Sequence, residues 1–79
     1  GLRRHQLPSE TTDEVLAEAL RSQSDVEWLD LEGTQITDAG LEPLKGLANL
    51  KILELTGTAV TDPGVLSLEE ALPDCKVVR

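Results

Sequence analysis

The strongest constraint on the fold is a stretch that the chain uses twice. Residues 29–41 read Leu-Asp-Leu-Glu-Gly-Thr-Gln-Ile-Thr-Asp-Ala-Gly-Leu, and residues 53–65 read Leu-Glu-Leu-Thr-Gly-Thr-Ala-Val-Thr-Asp-Pro-Gly-Val, so matched positions are 24 residues apart. A fixed period of about 20 to 29 residues is typical of repeat architectures, in which one repeat cannot bury its apolar face alone. We therefore expect neighbouring repeats to stack on one continuous core.

The start of each repeat reads as a strand, in which alternate side chains face opposite sides of a sheet. The leucines of both copies then face the core: Leu29, Leu31, Leu53 and Leu55. The residues between them face outward and form a candidate partner-binding surface: Trp28, Asp30, Glu32, Ile52, Glu54 and Thr56.

The closing stretch, 72–79, repeats the pattern of 47–54 with an offset of 25. This offset predicts a last strand at 76–78, with Cys75 as a small buried hydrophobe before it. It also places Val77 in an outward column with Trp28 and Ile52. Tryptophan is enriched among interface hot spots. The column therefore reads as an apolar anchor, unless residues 1–8 fold over it through Leu2 and Leu7.

Turn and cap residues recur at the same period. Gly33 and Gly57 permit the turn that leaves each strand, and the hydroxyls of Thr34 and Thr58 can bond loop backbone. Asp38 and Asp62, each preceded by threonine, read as caps of helices near 39–46 and 63–72. A further helix is predicted at 11–22. Thr11 and Glu14 would form its capping box, and its apolar stripe is Val15, Leu16, Ala19 and Leu20.

The segments 33–41, 57–65 and 71–77 resemble bacterial leucine-rich repeats of the Gly-Thr-x-Val/Ile-Thr-Asp-x-Gly-Leu type, which are related to cysteine-containing repeats. The resemblance covers about residues 26–78. It implies binding of protein partners, with no shared catalytic residues. The expected fold is α/β: a short right-handed leucine-rich-repeat solenoid with three parallel concave strands, convex helices and an N-terminal helical cap.

The predicted organisation has three parts. Residues 1–8 are a tail or linker, and residues 9–25 are a capping helix within a degenerate repeat. Residues 26–79 are the leucine-rich repeats, divided into 26–49, 50–74 and a terminal strand at 75–79. The chain starts with Gly1 and contains no methionine, so we expect a fragment of a larger protein.

Composition narrows the function classes. The net charge is −8, from 15 acidic and 7 basic residues, which argues against nucleic-acid binding because phosphates require clustered lysine and arginine. No apolar run is long enough to insert into a membrane. The single Cys75 excludes a disulfide within the chain or a cysteine-based zinc site. It favours a reducing compartment such as the cytoplasm.

The acidic pair Asp30 and Glu54 raises the question of catalysis or calcium binding. The pattern instead favours a solvated charge ladder, with Arg79 beside Glu54, or an acidic rim that selects a basic partner. The only histidine, His5, lies in the predicted tail, and no phosphate-binding glycine loop is present. We therefore predict an interaction module that is not an enzyme and has no cofactor or metal.

Two alternatives stay open at this point. The domain could be a structural spacer that self-associates weakly through open strand edges near 26–31 and 76–78. It could also be a regulatory appendage of an enzyme whose catalytic domain lies outside this sequence.

Overall fold

A computed structural model describes residues 3–23 and 25–79. They form a sheet of four parallel strands in the order β1-β2-β3-β4, which is also the chain order. The elements along the chain are β1 (Arg4–Gln6), α1 (Asp13–Leu20), β2 (Trp28–Asp30), two 3₁₀ helices (Asp38–Leu41 and Pro43–Gly46), β3 (Ile52–Glu54), α2 (Asp62–Ala71) and β4 (Lys76–Val78). This arrangement is an α/β fold in which each strand is followed by a helical segment.

The core lies between the sheet and the helical segments. All four strand leucines are buried, as the alternation predicted. Other apolar side chains of each repeat join them: Leu16, Leu20, Val26, Ile36, Leu41, Leu44, Leu47, Leu50, Val65, Leu68 and Cys75. Burial raises the pKa of the Cys75 thiol, because the low-polarity surroundings disfavour the thiolate.

The turns after the strands also follow the prediction. Gly33 and Gly57 have φ angles of 73° and 78°, a left-handed conformation that side chains with a Cβ rarely adopt. The hydroxyl of Thr34 donates to the carbonyl oxygen of Leu31 at 2.7 Å, and that of Thr58 donates to Leu55 at 2.7 Å. Both bonds close the loop on the strand that precedes it.

The first helix is capped differently from the prediction. Thr12 is the N-cap of α1, and its hydroxyl accepts the Val15 N–H at 3.4 Å, so the capping box of Thr11 and Glu14 is wrong. Thr11 is buried, and its carbonyl accepts the Gln35 N–H at 2.9 Å, which ties the start of α1 to the next repeat. Val15, predicted on the apolar stripe, is 50% exposed.

The predicted helix near 39–46 is two short 3₁₀ helices that meet at Glu42. Pro43 has no N–H to donate, so a continuous α-helical ladder cannot pass through this point. The backbone closes with tighter i→i−3 bonds instead, such as the Leu47 N–H to the Leu44 carbonyl at 3.0 Å.

The N-terminal segment contains a strand that the sequence reading missed. Arg4, His5 and Gln6 pair in parallel with Trp28, Leu29 and Asp30. The prediction of three strands is therefore short by one, and the segment predicted as a tail or linker holds an edge strand. Because β1 covers β2, the expected open edge at 26–31 is wrong, and β1 and β4 are the edges of the described sheet.

The last strand stands one residue away from its predicted register. Ile52 pairs with Lys76, and Leu53 pairs with Val77, so Val77 packs against the core and the outward column of Trp28, Ile52 and Val77 is wrong. The extra residue of the preceding loop is absorbed before β4. Cys75 still makes the turn that Leu50 makes, through its N–H to the Leu72 carbonyl at 3.0 Å.

Aspartates join consecutive repeats on the side of the helical segments. Asp13 accepts the backbone N–H of Thr37 at 2.7 Å and its hydroxyl at 2.6 Å. Asp38 binds Thr61 in the same way, at 2.7 and 2.5 Å. Asp38 was predicted to cap its own helix, but Thr37 and Thr61 are the N-caps. The aspartates therefore link each repeat to the one that follows it.

This link predicts a sensitivity to acid. The hydroxyl and the N–H of Thr61 hold the pKa of Asp38 below its ordinary value of 3.8, and Arg79 lowers it further. A carboxyl whose pKa is depressed by folding stabilises the fold above its unfolded pKa, and this contribution is lost as the pH falls through the folded pKa. We expect the free energy of unfolding to fall below pH 3.8.

Urea titrations at neutral and acidic pH would measure this loss in the parent and in Asp38→Asn. Asparagine keeps an acceptor oxygen but does not ionise, so the acid-induced loss of stability is expected to be smaller in the variant. Parallel losses in the two proteins would contradict the assignment of this pH dependence to Asp38.

Candidate protein-interaction surface

The outer sheet face consists of the strand side chains that point away from the core. The strand register arranges these side chains in two rows. The first row is Arg4, Trp28, Ile52 and Lys76, and the second is Gln6, Asp30, Glu54 and Val78. Trp28 and Ile52 are half-buried and adjacent. They form the apolar centre of this face.

Trp28 is fixed by polar contacts on two sides. Its indole N–H donates to Glu54 Oε2 at 2.9 Å. The Arg4 guanidinium carbon lies 5.8 Å from the centre of the indole ring, which is within the range of a cation–π interaction. The ring is therefore held in one orientation, which lowers the entropy that a partner would have to remove on binding.

Arg4 also accounts for the burial of Asp30. Its Nε lies 3.4 Å from Asp30 Oδ2, and the other carboxylate oxygen accepts the Glu32 N–H at 3.0 Å. The residue is only 4% exposed, and a buried carboxylate needs such partners to offset its loss of water. Asp30 is thus already neutralised within the chain.

The candidate site residues divide into three groups in the structure. Trp28, Asp30, Ile52 and Glu54 are brought together on neighbouring strands. Glu32 and Thr56 are exposed just beyond the strand ends, and Val77 belongs to the core side.

The predicted charge ladder is wrong in its partners. Arg79 pairs with Asp62, Arg4 with Asp30, and the indole of Trp28 binds Glu54. Sequence reasoning missed Arg4 and Lys76 as members of the outer sheet face. Their spacing of 24 from Trp28 and Ile52 was the available signal.

In residues 3–23 and 25–79, no group of three or more histidine, cysteine, aspartate or glutamate side chains is arranged to hold a metal ion. Among the helices of the same residues, none has the length and apolar character needed to cross a membrane.

Comparison with protein families completes the description. The family model described as a leucine-rich repeat matches residues 26–45 and 46–68, which is more than half of the chain. The chain belongs to the leucine-rich repeat family. Leucine-rich repeats generally mediate protein–protein interaction, and their domains are typically non-catalytic. Searches of curated proteins and of solved structures find no match.

Proposed function

We propose that this chain is a protein-interaction module of a larger bacterial protein and that it binds its partner through the outer sheet face. The repeats would form a short solenoid in which the first repeat acts as the N-terminal cap and the sheet is the concave side. The observation that carries the proposal is the position of Trp28. The chain's single aromatic residue lies half-buried on the outer sheet face beside Ile52.

The contacts around Trp28 suggest the chemistry of the partner. Within the chain, a guanidinium lies against the indole ring and pairs with the neighbouring carboxylate of Asp30. The partner would place an apolar side chain on Trp28 and Ile52. A cationic group would meet the acidic rim, to which Glu32 and Glu54 contribute and Thr56 adds a hydroxyl. The net charge of −8 favours such a basic partner through long-range attraction.

Substitution of Trp28 by alanine tests the proposal. Peptides are first selected on the immobilised parent from a random displayed library, without selection against any variant. We expect the selected peptides to combine apolar and basic residues. The Trp28→Ala variant should bind them more weakly by about 2 kcal/mol, or about 30-fold, because a central aromatic anchor is lost. Titration calorimetry measures the affinities.

Leu66→Ala provides the matched control, since Leu66 is the other large apolar side chain that lies well exposed, at 60%, but on α2. Its affinity for the selected peptides should equal that of the parent. Circular dichroism would verify that both variants are folded. Equal affinities of the parent and Trp28→Ala, or a loss confined to Leu66→Ala, would refute binding through the outer sheet face.

A further inference from the structure

The two boundaries at which an aspartate binds the next repeat share a requirement for glycine. Gly40 lies three residues after Thr37, and Gly64 lies three residues after Thr61. A Cβ at Gly40 would overlap the carboxylate oxygen of Asp13, and a Cβ at Gly64 would overlap the carboxylate of Asp38. A repeat therefore accepts the aspartate of its predecessor when it carries threonine and, three residues later, glycine.

At the C-terminal edge, defined as β4 together with Asp62, the aspartate faces solvent. Asp62 occupies the same place in α2 that Asp13 and Asp38 occupy in their helices, the first residue after the N-cap threonine. Its side chain is 78% exposed and pairs with Arg79. Exposed ion pairs contribute little, so this carboxylate can exchange its partner. Beside it, β4 offers an open strand edge for parallel pairing.

The N-terminal edge, defined as β1 together with Thr12, lacks one element of the same boundary. It has an edge strand and an exposed N-cap threonine. The third residue after Thr12, however, is Val15 rather than glycine. The Val15 side chain is half exposed, at 50%, at a position where Gly40 and Gly64 leave room for a carboxylate. This edge is therefore closed to an incoming aspartate.

We propose that the C-terminal edge is a docking surface for a leucine-rich repeat of another protein chain, one whose corner reads Thr-x-x-Gly. The incoming strand would pair with β4, and its threonine would bind Asp62 as Thr37 binds Asp13 and Thr61 binds Asp38. Val15 bars the N-terminal edge of a second copy from this surface. It thereby prevents the open head-to-tail chain that a heterologous interface otherwise forms. This surface is separate from the outer sheet face and goes beyond the function proposed above.

The experiment supplies the missing glycine. The probe is this chain with Val15→Gly, which opens its N-terminal edge, and Asp62→Ala, which disables its C-terminal edge. Mixed with the parent, it should form a complex of one copy each in sedimentation velocity, while parent and probe each sediment alone as monomers. In spectra of isotopically labelled parent, the amide signals of Lys76–Val78 should move and those of Arg4–Gln6 should not.

Matched variants separate this docking from general stickiness. A probe with Val15→Ala and Asp62→Ala keeps a Cβ at position 15 and should form no complex. Asp62→Ala in the labelled partner should weaken binding of the glycine probe about tenfold or more, because a charge-assisted pair of hydrogen bonds is lost.

A glycine inside α1 costs about 1 kcal/mol of stability, so folding of each probe is verified by circular dichroism. A second probe adds Glu14→Pro to Val15→Gly and Asp62→Ala. It copies the Thr61-Asp-Pro-Gly corner with which α2 begins. The proposal is overturned if neither folded glycine probe binds, if the alanine probe binds equally well, or if Asp62→Ala leaves the affinity unchanged. Self-association of the parent that Asp62→Ala abolishes would overturn the role of Val15.

Discussion

Replacement of Leu53 by alanine is expected to lower the free energy of unfolding by about 2–5 kcal/mol. Leu53 is completely buried in β3, between its register partners Leu29 and Val77. The substitution leaves a cavity against the sheet and both neighbouring repeats, which cannot all collapse to fill it. A small domain has only a few kcal/mol to lose, so most of the variant should be unfolded. A urea titration followed by circular dichroism measures the loss.

Leu66→Ala is again the control, because it removes the same atoms from an exposed position on α2. Its free energy of unfolding should stay within about 0.5 kcal/mol of the parent. If Leu53→Ala unfolded at the same urea concentration as the parent, the assignment of the strand leucines to the core would be wrong.

The second large effect is expected for Gly64→Val, which introduces the residue of position 15 into an internal boundary. The new Cβ would lie 2.5 Å from Asp38 Cγ and 3.1 Å from its Cβ, so the carboxylate must leave Thr61 or the repeats must separate. Overpacking of this kind costs about 1–3 kcal/mol. A β-branched residue gains little helix propensity to offset it. Thermal and urea unfolding would report the loss.

Gly46→Val is the matched control for this substitution. Position 46 has no neighbouring atom within 4 Å of an added Cβ, and its φ angle is not positive. The same side chain should therefore change stability little there. Equal effects at positions 46 and 64 would mean that the approach of Asp38 does not require the glycine.

The repeat period carried most of the fold. Leucines at a constant spacing of 24 residues specify both which side chains are buried and which strands are neighbours, because stacked repeats have no other way to cover their apolar faces. The positions of Leu29 and Leu53 in the core and the positive φ angles of Gly33 and Gly57 were therefore predictable from the sequence.

The first strand was not predictable from its own residues. Arg4, His5 and Gln6 show no apolar alternation, and β1 is an edge strand that pairs on one side. Its position follows from tertiary contacts, since Arg4 packs on Trp28 and pairs with Asp30. Local propensity contains no information about such partners.

The error at Val77 has a different cause. The turns at Leu50 and Cys75 are 25 residues apart, and that offset was carried into the strand. Backbone pairing with β3 restores the register of 24, because the ladder positions each residue of β4 irrespective of the loop before it. A slip of one residue moves every side chain of a strand to the other face, so Val77 was assigned to the wrong one.

The role of Asp38 was missed because an aspartate after threonine serves equally well in two arrangements. It can cap its own helix or reach the backbone of a neighbour, and spacing alone does not distinguish them. The distinguishing signal was the glycine that follows each Thr-Asp pair, at positions 40 and 64. A glycine within a helix weakens it, so its recurrence there needed a packing reason.

The burial of Cys75 has a practical consequence. The only thiol lies directly before β4, and the only indole lies on β2. A buried thiol with a raised pKa reacts slowly with alkylating reagents until the segment around it opens. The rate of alkylation thus reports the opening of the last repeat, while tryptophan emission reports the integrity of the first two strands. Without any introduced label, the molecule can reveal whether it unravels from one end or loses all its repeats together.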